Sequence, residues 1–327
     1  MNIAVIGLGS MGKRRIRLIH ELYPEFRIIG IDGREDRREE AGEKLGIDCY
    51  DSIDSIDADK IHGDIDCAFV CTSPLSHASI ITACINKGWH VFTELNLVSD
   101  GYDHNMSLAE EKGCTLFLSS TFLYREETRY IRGVIDNTGG WNYIYHIGQY
   151  LPDWHPWENY KDFFIGDKRT NGCREIMAIE LPWLIDAFGE VREVKAVSDK
   201  ITDLNIGFDD NFLITLTHEN GNKGMLAVDI VSPVAVRKFE AFSEGRYVSW
   251  NGTPDSLTVF DPESGKAVPV SLTENAEHIE GYSSFIVENA YKNEIKEFFD
   301  VVLNGKEPIY GFKRDLSILH LIDEIGA

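Results

Sequence analysis

The sequence contains no C-x-x-C pair, the spacing typical of zinc sites and redox-active thiols. Its six cysteines are scattered through 327 residues: Cys49, Cys67, Cys71, Cys84, Cys114 and Cys173. Cys67 and Cys71 bracket a short apolar run that is typical of a buried strand. Free thiols in a reducing compartment fit this pattern better than disulfides or zinc. We therefore expect a cytoplasmic protein that binds no metal.

Long apolar runs and positive charge are also scarce. No apolar run comes near the roughly 18 residues that a membrane-spanning helix requires, and the N-terminus shows no signal-peptide pattern. The 32 Lys and Arg residues are outnumbered by 54 Asp and Glu residues, which gives a formal net charge of −22. This charge repels nucleic acid and anionic membranes, so we expect neither as a partner. The length predicts two domains.

The first thirty-two residues carry the strongest motif in the sequence. Residues 2–6 form a short apolar, β-branched run that predicts a buried parallel strand. Gly7, Gly9 and Gly12 follow at G-x-G-x-x-G spacing, and the next residues have the apolar period of a helix. A second apolar strand then ends at Asp32, twenty residues after Gly12. This arrangement is the fingerprint of a dinucleotide-binding βαβ unit.

Each part of this motif has a physical role. Gly7 allows the tight turn, Gly9 lets a pyrophosphate approach the backbone, and Gly12 lets the helix pack closely. Asp32 can accept hydrogen bonds from the adenosine ribose and would repel a 2′-phosphate, which favours NAD over NADP; the nearby Arg34 softens that preference. The alternative is a glycine turn that binds no nucleotide. The predicted cofactor-binding residues here are Gly7, Gly9, Ser10, Met11, Gly12, Asp32, Gly33 and Arg34.

Further apolar runs alternate with helical patterns of ten to fifteen residues up to about residue 120. This alternation predicts an α/β domain with a parallel, doubly wound sheet over residues 1–120. Ligands of such sheets bind at the carboxyl ends of the strands. The loops that follow Ile6, Ile31, Cys71 and Thr93 are therefore expected to share one rim.

Two stretches of this region resemble a known family. The stretches are GLGSMGKR, which begins at Gly7, and CTSPLSHASIITACINKGWHVFTE, which ends at Glu94. Together they are similar to the glucose–fructose oxidoreductase/inositol dehydrogenase (Gfo/Idh/MocA) family of NAD(P)-dependent oxidoreductases. In that family, a Thr-x-Pro loop lies under the cofactor, and a Glu-Lys-Pro segment approaches the nicotinamide and the substrate. The residues that the resemblance places at the cofactor are Cys71, Thr72, Ser73, Pro74, His77, Glu94 and Asn96.

The sequence departs from the family at two catalytic positions. Leu95 stands where the family has the Lys that assists proton transfer, and a Leu side chain cannot donate, accept or carry charge. A later helix, predicted over residues 172–188, corresponds to the family's D-x-x-x-H helix. Alignment on its end puts Glu175 at the Asp position and Ile179 at the His position, four residues apart on one helix face.

Residues 121–327 predict a substrate and oligomerisation domain of the α+β type. A large, open and mostly antiparallel sheet is expected, followed by amphipathic helices over 291–303 and 313–324 that pack back on the first domain. The resemblance implies that the outer face of this sheet forms a homodimer or homotetramer. The predicted strands are 141–151, 191–201, 211–218, 223–232, 237–250 and 257–260.

An aromatic stretch over residues 152–164 contains two prolines and two tryptophans, which predicts an irregular loop. A subgroup of the resembling family, tied to surface-sugar biosynthesis, carries a similar L-P-D-W-x-P-W stretch. Trp154 or Trp157 could stack on the apolar face of a sugar. The alternative is aromatic packing at a domain junction.

Hydride transfer also needs a group that moves the hydroxyl proton of the substrate. The candidates are Glu175, Glu180, His155, Tyr124 and Arg125. Glu180 lies about 140° around an ideal helix from Glu175, so the two do not form a carboxylate pair unless Pro182 distorts the helix. Either Glu could instead be an Arg-paired structural carboxylate, and His155 could be an ordinary surface residue with a suitable unperturbed pKa.

The sequence therefore predicts an NAD(P)-dependent oxidoreductase that acts on a sugar or sugar derivative, with a place in surface-polysaccharide biosynthesis. NAD is expected as the cofactor, with NADP less favoured. Two alternatives remain open. One is a catalytically silent NAD-binding partner or regulatory protein, which the loss of Lys and His favours. The other is NAD-dependent elimination of a lyase type.

Overall fold

The computed structural model describes residues 1–57, 63–136, 138–154, 159–272 and 285–327. The chain divides into two compact units. Unit 1 comprises residues 1–120 and 291–316, and unit 2 comprises residues 121–290 and 317–327. The assignment of cofactor binding to residues 1–120 and of substrate binding and oligomerisation to residues 121–327 stays a prediction.

Unit 1 contains a six-stranded sheet. Its strands are β1 (Asn2–Ile6), β2 (Arg27–Ile31), β3 (Asp48–Tyr50), β4 (Cys67–Val70), β5 (His90–Thr93) and β6 (Leu116–Leu118). They pair in parallel in the order β3-β2-β1-β4-β5-β6, which confirms the predicted doubly wound sheet. The strand order reverses between β1 and β4, and ligands of open α/β sheets bind at such a point.

Helices connect these strands and complete both units. Within the described residues they are α1 (Ser10–Leu22), α2 (Glu35–Leu45), α3 (Pro74–Asn86), α4 (Tyr102–Lys112), α5 (Glu126–Ile135), α6 (Gly172–Phe188), α7 (Glu288–Asn304) and α8 (Phe312–Ile325). No described helix is long and apolar enough to cross a bilayer. Ile53–Ser55 forms a 3-10 turn, and residues 58–62 lie outside the described residues.

Four phenylalanine rings pack together in the core of unit 1. Phe69, Phe92 and Phe117 lie on neighbouring strands, and their stacked ring centroids are 4.6 and 5.3 Å apart. Phe298 of α7 packs edge-on against the same rings, with centroid distances of 5.2–5.7 Å. Aromatic rings prefer such offset and edge-to-face arrangements. The core of unit 1 therefore includes a residue that follows the unit 2 sheet in sequence.

Unit 2 contains an eight-stranded sheet. Its strands are β7 (Asn142–Gly148), β8 (Val191–Asp199), β9 (Asn211–His218), β10 (Lys223–Asp229), β11 (Val236–Ser243), β12 (Arg246–Trp250), β13 (Thr258–Asp261) and β14 (Lys266–Pro269). They pair in the order β14-β13-β12-β11-β7-β10-β9-β8. Six of the seven pairs are antiparallel and β7–β10 is parallel, which confirms the predicted open and mostly antiparallel sheet.

The strand predicted over residues 237–250 is wrong, because the structure has the hairpin of β11 and β12 there. The chain reverses after Ser243, where Gly245 has a φ of 68°, a conformation that L side chains rarely adopt. Aromatic and β-branched residues on both sides hide this turn in the sequence. The short edge strand β14 was not predicted, since it ends at Pro269, a residue confined to edges and ends of sheets.

Candidate functional site

The glycine turn of unit 1 is tightly packed at two of its three glycines. Gly7 has a φ of 93°, and a Cβ at this position would lie 2.7 Å from the carbonyl oxygen of Cys71. A Cβ on Gly12 would lie 1.9 Å from the carbonyl oxygen of Gly7. Beside Gly9 the space is open, and the nearest atom to a Cβ there is Arg37 Nη1 at 3.7 Å. Packing therefore requires the outer glycines, and the middle one leaves room for a ligand.

The open space adjoins the N-terminus of α1. Gly9 is the N-cap residue, and no side chain of the described residues caps this helix end. Ser10, the first helical residue, is exposed, and the first turn carries no acidic residue. The first backbone N–H groups of a helix lack intrahelical partners, and the helix dipole favours an anion there. This end of α1 fits the pyrophosphate of a dinucleotide.

The carboxylate of Asp32 is held at the end of β2 by backbone amides. Leu8 N donates to Oδ2 at 2.8 Å, and Arg34 N donates to Oδ1 at 2.9 Å. A carboxylate has about four lone-pair positions, so acceptor capacity remains for ribose hydroxyls. The Arg34 guanidinium pairs with Asp36 at 2.6 Å, and Arg37 Nη1 lies 3.7 Å from Asp32 Oδ2. Sequence reasoning missed Arg37, although it stands on the first turn of the helix after Asp32.

The loops that follow β4 and β5 are joined by His77. Its Nε2 lies 3.0 Å from the carbonyl oxygen of Thr72, and its Nδ1 lies 2.6 Å from the Asn96 side chain. Burial lowers the pKa of His77, so the ring is neutral and carries one proton. The Nδ1 contact is to Asn96 Oδ1, so both ring nitrogens face oxygen acceptors, and the ring donates its proton to one of them. The His77 ring and Asn96 thus connect the loop after β4 to the loop after β5.

The other predicted residues of this rim lie nearby. Pro74 is the buried first residue of α3, and Ser73 is exposed beside it. Burial raises the pKa of the Cys71 thiol well above its ordinary value, so the thiol is not an activated nucleophile. Glu94 follows β5, and its Oε1 accepts a hydrogen bond from Arg15 Nε at 2.6 Å. Leu95 is half-buried.

In unit 2, Glu175 lies on the first turn of α6. Asn171 caps this helix by accepting a hydrogen bond from Arg174 N at 2.9 Å. Glu175 Oε2 is buried and has no hydrogen-bond partner among the described residues. Burial raises the pKa of this carboxyl to about 7. Ile179, one turn later, is partly exposed like Glu175. A carboxyl that titrates near neutral pH can accept and release a proton under physiological conditions.

Both carboxylate oxygens of Glu180, on the same helix, accept hydrogen bonds. Its Oε2 accepts hydrogen bonds from Tyr145 OH at 2.8 Å and from Trp183 Nε1 at 2.7 Å. Its Oε1 accepts from Arg237 Nε at 2.8 Å, and Arg237 Nη2 lies 2.6 Å away. These contacts fit a structural carboxylate better than a proton-transfer group. The continuous helix around Pro182 does not bring Glu180 into a pair with Glu175.

The contacts of Glu180 predict that substitutions of two buried tyrosines of β7 lower the free energy of unfolding by different amounts. Tyr145→Phe removes a donor to a charged carboxylate and should lower the free energy of unfolding by about 1.5–3 kcal/mol. Tyr143→Phe is the matched control, because Tyr143 OH contacts the neutral His218 ring at 3.0 Å and its loss should cost about 0.5–1.5 kcal/mol. Urea denaturation measures both. Equal losses would contradict a charged Glu180.

Tyr124 and Arg125 are consecutive residues whose side chains have different surroundings. Arg125 donates to the Glu127 carboxylate at 3.1 and 3.2 Å and to the carbonyl oxygens of Phe285 and Gly252 at 2.9 and 3.0 Å. The buried guanidinium of Arg125 therefore has a structural role, because its donors bond to a carboxylate and to backbone carbonyls. Tyr124 is buried at the end of a 3-10 turn. Their catalytic assignment stays a prediction.

The aromatic loop reaches the start of α6. Trp154 Nε1 donates to the carbonyl oxygen of Gln149 at 3.0 Å, and its Cη2 lies 3.3 Å from where a Cβ would stand on Gly172. Gly172 precedes Glu175 by about one helical turn. The structure therefore places the indole ring of Trp154 and the carboxyl of Glu175 at the same end of α6.

His155 and Trp157, also predicted in this loop, lie outside the described residues. Within the described ranges, no group of three His, Cys, Asp or Glu side chains is arranged to hold a metal ion. The proton-transfer candidates that the structure does describe are therefore Glu175, Glu180, Tyr124 and Arg125. Among these four, Glu175 alone combines a partnerless buried oxygen with a pKa near neutral.

Comparisons with known proteins agree with this geometry. The family model of Gfo/Idh/MocA, described as an oxidoreductase family with an NAD-binding Rossmann fold, matches residues 1–120. Myo-inositol 2-dehydrogenase of Thermotoga maritima is 30% identical over 123 residues, which cover 37% of this chain and 36% of that protein. Human biliverdin reductase A is 26% identical over 132 residues, which cover 40% of this chain and 43% of that protein.

The matches to these two curated proteins thus span less than half of their length. A solved structure extends the likeness to the whole chain. UDP-N-acetylglucosamine 3-dehydrogenase of Acidithiobacillus ferrooxidans superposes with a TM-score of 0.75 over 99% of this chain and 96% of that one. Its identity of 15% makes this a likeness of fold alone. The likeness to the Gfo/Idh/MocA family, described as an oxidoreductase family with an NAD-binding Rossmann fold, is thus found over residues 1–120.

Proposed function

We propose that this protein is an NAD-dependent oxidoreductase that oxidises a hydroxyl group of a sugar or sugar derivative, with Glu175 as the proton acceptor. The observation that carries the proposal is Glu175 Oε2, which is buried and has no hydrogen-bond partner in the described part of the chain, in a carboxyl whose pKa is about 7. The nicotinamide of bound NAD supplies the hydride acceptor. Glu175 takes the hydroxyl proton, which the family's Lys and His would otherwise manage.

The residues of unit 1 fit the cofactor. The uncapped N-terminus of α1 and the open space beside Gly9 would hold the pyrophosphate. Asp32, fixed by two amides, would accept hydrogen bonds from the adenosine ribose. A carboxylate at this position would repel the 2′-phosphate of NADP, so NAD is the proposed cofactor. Arg37 moderates this repulsion because its guanidinium lies 3.7 Å from Asp32.

The sugar substrate is proposed from the chemistry of unit 2. An indole ring offers a flat apolar surface, and a carboxylate offers an acceptor for a hydroxyl. Trp154 and Glu175 supply these two groups at the start of α6. The L-P-D-W-x-P-W stretch supports a place in surface-polysaccharide biosynthesis, in the cytoplasm. Relatives named for a cyclitol and for a nucleotide sugar support the same substrate class.

The second candidate is a catalytically silent NAD-binding partner, which the presence of Leu95 and Ile179 at the family's Lys and His positions favours. NAD-dependent elimination would also need a base, and Glu175 could serve it. A turnover assay separates the three. Purified protein is incubated with NAD or NADP and a panel of sugars, polyols and nucleotide sugars, while reduced cofactor and products are measured. We expect net NADH formation; tight NAD binding without any turnover would overturn the enzyme proposal in favour of the silent partner.

The outer face of the unit 2 sheet is proposed as the homodimer or homotetramer interface. Exposed apolar side chains meet there in register, because Met225 pairs with Ile144 and Leu213 pairs with Val197 on neighbouring strands. Adjacent exposed apolar side chains mark interaction surfaces.

This interface predicts a change of mass in solution. Met225→Lys should shift the protein from an oligomer to monomers at micromolar concentration, because it puts a charge into the centre of the apolar patch. Val234→Lys is the control, since Val234 is exposed and apolar but lies between β10 and β11 rather than in a strand. Sedimentation equilibrium measures both. A monomeric wild-type protein, or an unchanged mass of Met225→Lys, would contradict the interface.

A further inference from the structure

Arg15 is a fully buried cation on α1, one helical turn beyond the glycine motif. Its guanidinium carbon lies 4.5 Å from the ring centroid of Phe92 and 5.2 Å from that of Tyr291. Cation–π contacts of this kind partly replace the water that a buried cation loses. Two carboxylates complete its surroundings, and both belong to unit 1.

The guanidinium joins these two carboxylates. Arg15 Nε donates to Glu94 Oε1 at 2.6 Å, and Arg15 Nη2 donates to Glu294 Oε2 at 2.6 Å. Glu294 lies on α7, and its Oε1 accepts hydrogen bonds from Ser119 Oγ at 2.9 Å and from Ser120 N at 2.7 Å. Glu294 is fully buried, so it cannot touch a ligand itself. It fixes Arg15, and Arg15 fixes Glu94.

Glu94 keeps one oxygen available. Its Oε2 makes no hydrogen bond to any described residue, and the Glu94 side chain is 12% exposed. Glu94 directly follows β5, so it lies at the carboxyl-end rim of the sheet. The strand order places the adenosine half of a dinucleotide on the β1–β2 side, where Asp32 lies, and the other nucleoside on the β4–β5 side. Glu94 Oε2 is therefore an acceptor on the side of the second nucleoside.

We propose that Arg15 is a positioning residue that presents Glu94 Oε2 to the hydroxyl or amide donors of the nicotinamide nucleoside, with Glu294 as its anchor. This inference rests on the proposed function, because it requires that unit 1 binds a dinucleotide. It assigns the two halves of the cofactor to different residues of the rim. Asp32 and the end of α1 serve the half of the cofactor shared with ADP, and the Glu94–Arg15–Glu294 network serves the half that ADP lacks.

The test compares the affinities for NAD and ADP by calorimetry. Arg15→Met and Glu94→Gln should each weaken NAD binding about tenfold, since a charge-assisted hydrogen bond is lost or loosened, and leave ADP binding within about twofold. Glu294→Gln, at a residue that no ligand reaches, should weaken NAD binding by roughly threefold without changing ADP binding. A merely structural role would weaken the binding of both ligands alike.

Arg27→Gln is the matched control, because Arg27 forms a partly exposed pair with Asp48 at the opposite end of the strands, at 2.9 Å. It should change neither affinity. If Arg15→Met does not fold, Glu94→Gln and Glu294→Gln carry the test. A parallel loss of ADP and NAD affinity in these variants, or no loss of either, would overturn the inference while leaving the proposed function intact. Failure of the wild-type protein to bind either ligand would overturn both.

Discussion

Glu175→Gln is expected to lower kcat/KM for sugar oxidation by about 10²–10⁴, the usual contribution of a general base. The amide has nearly the same shape as the carboxyl but cannot accept the proton of the substrate hydroxyl. NAD affinity should not change, because Glu175 is not among the residues assigned to the dinucleotide. Steady-state kinetics, together with calorimetry of NAD binding, measures both quantities.

The sign of the pH dependence follows from the same residue. Burial raises the pKa of Glu175 to about 7, so the carboxyl is mostly protonated below that pH and mostly ionised above it. Oxidation needs the ionised form, so its rate should rise as the pH passes upward through about 7. Reduction needs the protonated form, and its rate should fall over the same range. Glu175→Gln should remove this dependence in both directions.

Asp186→Asn is the matched control for Glu175→Gln. Asp186 lies on the same helix, with a side chain that is 41% exposed, and pairs with Arg132 at 2.9 Å. The same loss of charge there should leave kcat/KM and its pH profile unchanged. A Glu175→Gln variant with wild-type turnover would assign the proton to another group, and would remove the observation on which the proposed mechanism depends.

Asp32→Ala is expected to weaken NAD binding by about 10- to 100-fold, the equivalent of one charge-assisted hydrogen bond or more. NADP binding should strengthen in the same variant. The carboxylate that repels the 2′-phosphate is gone, and the Arg37 guanidinium, 3.7 Å from the former carboxylate, remains to attract it. The ratio of NAD affinity to NADP affinity should therefore fall, because the first affinity decreases and the second increases. Calorimetric titration with each cofactor measures the change.

Asp48→Ala provides the control for this variant. Asp48 begins the neighbouring strand β3, and its exposed carboxylate pairs with Arg27. Its loss removes the same charge from unit 1 but from the amino ends of the strands, where no cofactor is expected. Both cofactor affinities should stay at the wild-type level. An unchanged NAD preference in Asp32→Ala would reject the assignment of Asp32 to the adenosine ribose.

The parts of the fold that depend on neighbouring residues could be predicted from the sequence. The turn from β1 into α1 and the position of Asp32 follow from glycine spacing and apolar periodicity, which act over a few residues. The alternation of strands and helices then fixed the sheet as parallel. In unit 2 the alternating strands indicated an antiparallel sheet, although the turn at Gly245 was hidden within one apolar run.

The partners of the charged residues could not be predicted in the same way. Arg15 meets a carboxylate 279 positions later in the sequence, and Glu180 meets an arginine 57 positions away. No local pattern encodes such pairs, because tertiary packing alone brings them together. The sequence consequently left Glu180 as a catalytic candidate beside Glu175. The structure distinguishes the two by the number of donors that each carboxylate receives.

The contribution of α7 to unit 1 has a consequence for biosynthesis. Ribosomes synthesise the six parallel strands first, and Phe298 and Glu294 emerge only after the whole eight-stranded sheet of unit 2 has been made. Until then, the rings of Phe69, Phe92 and Phe117 lack their edge-on neighbour, and Arg15 has one carboxylate instead of two. Such a nascent chain exposes the apolar surface of these rings and leaves the charge of Arg15 only partly compensated. Chaperones are therefore expected to bind the nascent polypeptide until α7 has been synthesised.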